Sequence, residues 1–581
     1  MTAEPQDPPG EKPGFLRILV SAFLPGLLAG TQITGLLFFL NPHLPFEPGA
    51  VLRGVGFFGF LLGGLGALIL LPLFWRQPRR TGQRLSQALT LVLALAAISA
   101  WVHVSSFAFF LPPGINRRLL KAATWLSLAA VVCFYTMLVH RLRRRPYGRR
   151  SQALFLLVGL ASVYVVLERR EAFKPTPGPA PRETTIEGSQ RPRLVVVGIE
   201  SATLDAILPL TQQERLPFFS RLLEESFYAR LSPLDPPRRL PLWTTLVAGK
   251  YPYQHGILSR RVYRAAFLNC EAPLYLLPIG MGFRDWGSCR GSRSIASSDR
   301  QVLVLWQILS RLGVPTGVIG WPLTAPPSED TEILISDKFF EDSSSAEDLV
   351  PGDLAERARL FHTPREEIDP RMLAPFGSAP PASVVDSLRQ DLWREALSFY
   401  VLENHPDVEA LFIGLPGMLA VSEEFFRGYS DVQFDGSQKS EDLDAARVMS
   451  AYYMHLDEYL AQLWEQISGP KMMAVVSVLG SESSSGVDGW IRRLSPQASF
   501  GSLIDESPDG VLMILGEGIQ AGQMPSAQLV DFAPTLLYAL GAPLARDLDG
   551  AVLTEAFTSA FLARQPLTFI PSYETLSGGT E

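Results

Sequence analysis

Hydrophobic positions along this chain follow two rhythms. Up to residue 167 they fill five long runs, roughly Ile18 to Leu40, Gly54 to Trp75, Ser86 to Leu111, Leu119 to Val139 and Ala153 to Leu167. Four of these are long enough to cross a hydrocarbon core of ~30 Å as helices, and the fifth, at about 15 residues, needs its flanking Ser, Gln and Arg side chains at the interfaces. After residue 193 the runs shorten and alternate between strand and helix patterns, which predicts an α/β domain. Strands are predicted at Leu194 to Val197, 407–417, 472–480 and 510–519, and helices at Pro217 to Ser226, 392–404, 445–467 and 529–543. A further helix start is predicted at Trp243 to Val247, and 305–327 reads as helix, turn, strand and loop.

The fold class that follows is an N-terminal bundle of about five transmembrane helices, then an α/β domain with a central, mostly parallel sheet. Its predicted boundaries are a cytosolic tail at 1–14, the membrane domain at 15–168, a Pro-rich linker at 169–192, the α/β domain at 193–565 and a loosely ordered tail at 566–581. Residues 343–390 are acidic and Pro-rich, as in a helical cap or insertion. Residues 1–14 lack the charged start, short apolar core and small-residue cleavage site of a removable signal peptide.

Charge sets the expected orientation. Arg76, Arg79, Arg80 and Arg84 lie between the second and third runs, and Arg141, Arg143, Arg144, Arg145, Arg149 and Arg150 between the fourth and fifth. Both loops are expected in the cytoplasm, and the loop between the first two runs outside. Arg117, Arg118 and Lys121 weaken this pattern without reversing it. Five crossings then put the N-terminus in the cytoplasm and the large domain in the extracytoplasmic, periplasmic space of a bacterial inner membrane. If the short fifth run does not cross, the large domain is cytosolic instead. His103, deep in the third run, reads first as a neutral, hydrogen-bonded bundle residue.

The net charge of -7 hides an arginine-rich first part and an acidic remainder, which argues against nucleic acid as a partner of the large domain. Three cysteines are too few for a disulfide framework. Cys133 reads as apolar packing, whereas Cys270 and Cys289, in one Gly-rich insertion, can pair if that domain lies outside the cytosol.

Candidate chemistry begins with LVVVGIE at 194–200, a buried-strand pattern delivering Glu200 to its carboxyl end, where open α/β sheets place their sites. It continues with RRLPLWTTLVAGKYPYQHGI, ending at Ile257. Together these resemble the opening of the type I phosphodiesterase and nucleotide pyrophosphatase branch of the alkaline phosphatase superfamily, in which a strand-G-[IL]-D start precedes T-x-P-x-x-[WY]-T-x-x-x-T-G-x-x-P-x-x-H-G-[IV]. Gly249, Pro252, His255 and Gly256 match the block, but Glu200 stands at the metal-binding Asp and Arg239 at the nucleophilic Thr. The segment 305–327 is also similar to a W-x-x-L pattern of a bacterial subgroup of that family.

The resemblance implies two divalent metals such as zinc, bridged by the nucleophile and held by Asp and His side chains. In this chain the matching ligand positions are Leu419 and Glu423 in LAVSEEFF, Val478 and Leu479 in SVLG, and Glu506 in ESPDG. Leucine and valine have no donor atom for a cation, so the expectation is a pseudoenzyme with neither metal nor other cofactor. Arg239, with Arg238, is expected to pair with Glu200, Glu423 or Glu506. A ligand set of Arg238, Arg239, Glu200, Thr244 and Thr245 is the sharper alternative, with the two threonines first read as capping or packing residues. The expected role is a membrane-anchored domain that binds a partner or anionic ligand, the partners being the lipid membrane and a membrane or extracytoplasmic protein. A hydrolase or transferase acting on phosphodiesters or lipid head groups, laid out like phosphoethanolamine and lipoteichoic acid transferases, is the second reading. A structural subunit of a membrane complex is the third.

Overall fold

The computed structural model describes residues 14–44, 47–76, 78, 81–143, 147–167, 191–264, 273–278, 292–328, 330–341, 345–481 and 508–574. The predicted N-terminal tail and most of the Pro-rich linker lie outside that set, as do Cys270, Cys289 and Glu506. The chain divides into two compact units, one containing residues 1–174 with 261–294, the other most of the remainder.

In the first unit α1 (Phe15–Leu40), α2 (Pro48–Arg76), α3 (Thr81–Ser106), α4 (Pro113–Leu142) and α5 (Arg149–Leu167) are all long and apolar enough to cross a membrane. Several boundaries differ from expectation: α2, α3 and α4 start five or six residues before the predicted runs. The third helix ends at Ser106 rather than Leu111, because Phe107, Phe110 and Leu111 are buried in the tight corner before Pro112. The fifth begins at Arg149 and reaches 19 residues, since the polar residues preceding Ala153 are helical too. That is about 28 Å at ~1.5 Å per residue.

α1 and α2 meet through small residues at four-residue spacing. A Cβ on Gly26 would stand 2.0 Å from Leu62 O, and one on Gly30 would stand 2.4 Å from Gly59 N. Gly26 and Gly30 face Gly59 and Gly63, so the two backbones approach as membrane helices do when packing, not hydrophobicity, drives association. His103 is fully buried, with Nδ1 2.6 Å from Ser99 O.

The first unit also takes in three short antiparallel strands, Arg261–Arg264, Pro273–Leu274 and Arg293–Ser294. The sequence places these inside the α/β domain. They join the membrane unit because Asn41, buried past the end of α1, imitates a pairing strand. Its Oδ1 accepts from Tyr275 N at 2.8 Å and Leu276 N at 3.2 Å, and its Nδ2 donates to Leu276 O at 2.7 Å.

In the second unit nine strands among the described residues form one sheet in the spatial order Gly522–Gln528, Phe227–Ser232, Gly510–Gly516, Lys471–Ser477, Arg193–Ile199, Ala410–Leu415, Thr316–Ile319, Ile333–Ile335 and Leu349–Val350. The five from Lys471–Ser477 to Ile333–Ile335 are parallel to their neighbours in that run. Buried on both faces, they read as continuous apolar runs. Val195, Val197 and Ile199 share a core with Leu388, Leu397, Tyr453 and Leu456 of the helices Ala382–Asn404 and Ser440–Gln466. On the other face Trp306 and Trp321 stack edge-on against Phe412, and Trp243 against Trp321. A Cβ on Gly198 would lie 3.0 Å from both Trp243 and Trp321, so only glycine lets these rings close over the strand end.

The residues after 566 are not loosely ordered as far as Glu574. Tyr573 is 2% exposed, and Lys250, itself buried, donates to Glu574 Oε1 at 3.0 Å and Asp547 Oδ2 at 2.8 Å. A buried ammonium needs such partners, so the chain end is part of the fold.

Candidate functional site

The centre of the sheet delivers the candidate site. Three adjacent parallel strands end at Ile199, Leu415 and Ser477, and the next residues bring Glu200, Leu419, Val478 and Leu479 to their carboxyl edge. Glu200 N donates to Leu415 O at 3.1 Å, which continues the strand pairing by one residue. Ser201 then turns with φ +60°, and its carbonyl accepts from Ser481 Oγ at 2.7 Å, tying two strand ends together. Thr203 caps the following helix, with Asp205 N 3.3 Å from its hydroxyl.

Arg239 is the first residue of the helix Arg239–Ala248. The helix therefore starts four residues before the predicted Trp243, because Pro241 falls in the first turn, where its missing N–H costs nothing. The guanidinium closes on Glu200 as a fork, Nε to Oε2 at 3.1 Å and Nη2 to Oε1 at 2.7 Å. The Glu200 side chain is 4% exposed and that of Arg239 41%. Burial alone would lower the Arg239 pKa, but the charge and hydrogen bonds of Glu200, and more weakly Glu423, hold it above its ordinary value. The Arg239 guanidinium thus stays charged against Glu200, with one wet side.

The other named residues divide clearly. Arg238 Nη1 donates to Leu258 O at 3.3 Å. Glu423 is exposed on the helix Gly417–Gln433 and acts on Arg239 through space, while Glu424 accepts from Ser383 Oγ at 2.6 Å. Leu419 lies half-buried in the first turn of the same helix, and Val478 is 1% exposed. Thr244 and Thr245 are interior helix residues rather than caps. The Thr244 hydroxyl donates back to Leu240 O at 2.8 Å, and Thr245 Oγ1 lies 3.0 Å from His255 Nε2. Because His255 Nδ1 accepts from Ile257 N at 3.1 Å, its proton sits on Nε2 and points at Thr245. Burial first, then the Arg300 charge, depress the His255 pKa to about 3, so the ring is neutral and structural.

Two divalent ions do not fit these side chains. Among the described residues no cluster of three or more His, Cys, Asp or Glu side chains is placed to hold a metal. Leu419, Val478 and Leu479 have no donor atoms, and both Glu200 oxygens already accept from Arg239. What remains is a charged surface: a half-exposed guanidinium at a helix N-terminus, a second arginine beside it, and two carboxylates.

Sequence reading missed the Lys250, Asp547 and Glu574 cluster, and a buried ionic group between two long helices. There Tyr452 donates to Asp391 Oδ2 at 2.7 Å, and His455 Nε2 lies 2.8 Å from Glu395 Oε1. Burial and the nearby Glu395 charge push Asp391 up to about 6. Each pair joins residues about sixty positions apart, so no local motif marks it.

A parallel-centred sheet with its candidate centre at the carboxyl ends of the middle strands, preceded in the chain by five apolar helices, defines an alkaline-phosphatase-like domain attached to a helical membrane segment. Residues 194–479 match the family model for type I phosphodiesterase / nucleotide pyrophosphatase. Among solved structures, alkaline phosphatase PafA aligns at 10% identity and TM-score 0.41, covering 64% of this chain and 100% of that one. Murine ectonucleotide pyrophosphatase / phosphodiesterase 5 aligns at 9% identity and TM-score 0.35, covering 63% of this chain and 100% of that one. Phosphonoacetate hydrolase from Sinorhizobium meliloti 1021 aligns at 13% identity and TM-score 0.31, covering 53% and 64%. A search of curated proteins returns no match.

Proposed function

We propose that this protein is a membrane-anchored, extracytoplasmic phosphodiesterase-fold domain that binds a partner or anionic ligand and does not turn over phosphodiesters. The observation that carries the reading is the Arg239 to Glu200 fork. It stands where the family resemblance expects a nucleophile and a metal ligand, and it occupies both carboxylate oxygens. A fixed cation in place of a metal keeps Glu200 compensated without supplying a nucleophile or an activated water. Arg238 and Arg239 at a helix N-terminus favour an anion, and Glu423 restricts which one.

The orientation has its own support. Asn41, between α1 and α2, hydrogen-bonds to residues 275 and 276, so that loop shares a side with a segment of the chain beyond the fifth helix. Five crossings put both on the same side, opposite the arginine-rich loops after α2 and α4. The test of function is turnover by the full chain in detergent micelles, with bis(p-nitrophenyl) phosphate and added zinc, manganese or calcium. The expected rate equals that of protein-free buffer. Turnover that disappears in Glu200→Gln or Arg239→Ala would overturn the reading.

A further inference from the structure

Between α1, α3, α4 and α5 the membrane unit holds a cavity of about 240 Å³. Its walls are small and aliphatic, including Ala29 and Ile33 on α1, Ala96 on α3, Ala122 on α4 and Val166 on α5. The cause lies in the sequence. The glycines of α1 draw that helix against α2, and alanines on the helices across from it leave the volume unfilled. An unfilled void of this kind is destabilising, and an engineered apolar cavity of ~150 Å³ is already large enough to take up benzene.

The cavity has one conspicuous polar feature. Gln32, 7% exposed, donates from Nε2 to Ser162 Oγ at 3.3 Å, whereas its buried Oε1 has no hydrogen-bond partner. An acceptor left without a donor at membrane depth is costly, since no bulk water reaches it. Leu95 also lines the cavity yet is 56% exposed on the outer surface of α3, so the cavity meets the bilayer there. We propose that this cavity binds one aliphatic lipid chain bearing a hydroxyl or amide N–H, which enters past Leu95 and donates to Gln32 Oε1. Hydrocarbon fills the void and the donor satisfies the orphaned oxygen. Neither requirement depends on whether the α/β domain is catalytic.

The test uses the full chain reconstituted in phosphatidylcholine vesicles. The probe is a sixteen-carbon alcohol carrying a mid-chain diazirine, with cross-linked peptides mapped by mass spectrometry. Label is expected on the cavity-facing residues of α1, α3 and α4. Hexadecan-1-ol should compete about tenfold better than its methyl ether, the scale of one buried hydrogen bond, and the preference should vanish in Gln32→Leu. Ala96→Phe and Ala122→Phe, each filling the space, should abolish specific labelling. The competition arm on the unaltered protein stands even if those variants fail to fold. Labelling spread over the lipid-facing surface of α2, or equal competition by alcohol and ether, would overturn the proposal.

Discussion

Replacing Arg239 by methionine keeps much of its aliphatic packing and removes the cation from Glu200. Breaking a fully buried ion pair from one side costs ~3–5 kcal/mol. Here the Glu200 side chain is 4% exposed but that of Arg239 is 41%, so water can reach the orphaned carboxylate and the cost should fall to about 1–3 kcal/mol. Melting midpoints shift by ~2–4 °C per kcal/mol for domains of ~150–250 residues and less for larger ones, so a loss of about 2–6 °C is expected. The assay is thermal unfolding of the full chain in detergent at pH 7.5, followed by tryptophan fluorescence, with Trp243, Trp306 and Trp321 packed beside the site. Glu200→Gln should cost a similar amount. The double variant should recover most of the loss, because two neutral groups need no compensation. A single Arg239→Met variant that melts within 1 °C of the parent, or strictly additive losses in the double variant, would refute the coupling.

His255 should make the α/β domain acid-sensitive. Its folded pKa of about 3 lies below the ordinary 6.5, so the unfolded chain takes the proton first and stability falls as pH drops below 6.5. By pH 5 the loss from this residue alone is about 2 kcal/mol, and His255→Gln should flatten the melting curve between pH 7 and pH 5. Asp391 has the opposite sign. Its pKa of about 6 exceeds the ordinary 3.8, so Asp391→Asn should matter more below pH 5 than at pH 8, where the carboxylate is a burden. Ending the chain after residue 566 should lower the yield of folded protein sharply in size-exclusion chromatography, because Lys250 loses Glu574. Gly30→Leu should separate α1 from α2, read as aggregation in mild detergent, whereas a leucine at the open position Gly56 should be tolerated.

The membrane helices and the central strands were legible because their apolar runs are long or uninterrupted. LVVVGI and KMMAVVS are buried along nearly their whole length, and such strands leave no alternation to misread. A buried corner at Phe107 to Leu111 is as apolar as a span, so hydropathy alone does not mark the end of the third helix at Ser106. The tryptophan and threonines beyond Pro241 resemble a helix start, whereas proline suits a first turn and the helix begins at Arg239. No local pattern marks residues 261–264 and 273–278 as part of the first unit, since what draws them there is the packing of Leu274 against Leu37, Leu44 and Phe58 together with the hydrogen bonds of Asn41, some 230 positions away. At the site, Glu200 and Arg239 were visible as neighbours by way of family motifs, but their fork geometry and the inward commitment of Thr244 and Thr245 are properties of packing.

Three of the positions that match the metal ligands of the resembling family are apolar and Glu200 is already paired, so the site is proposed not to hold two cations. Metal content of the purified full chain, measured by plasma mass spectrometry after exposure to zinc, manganese and calcium and then dialysis, tests it most directly. The expected stoichiometry is near zero and is unchanged in Glu200→Gln. Two tightly bound ions per chain, lost on that substitution, would contradict it.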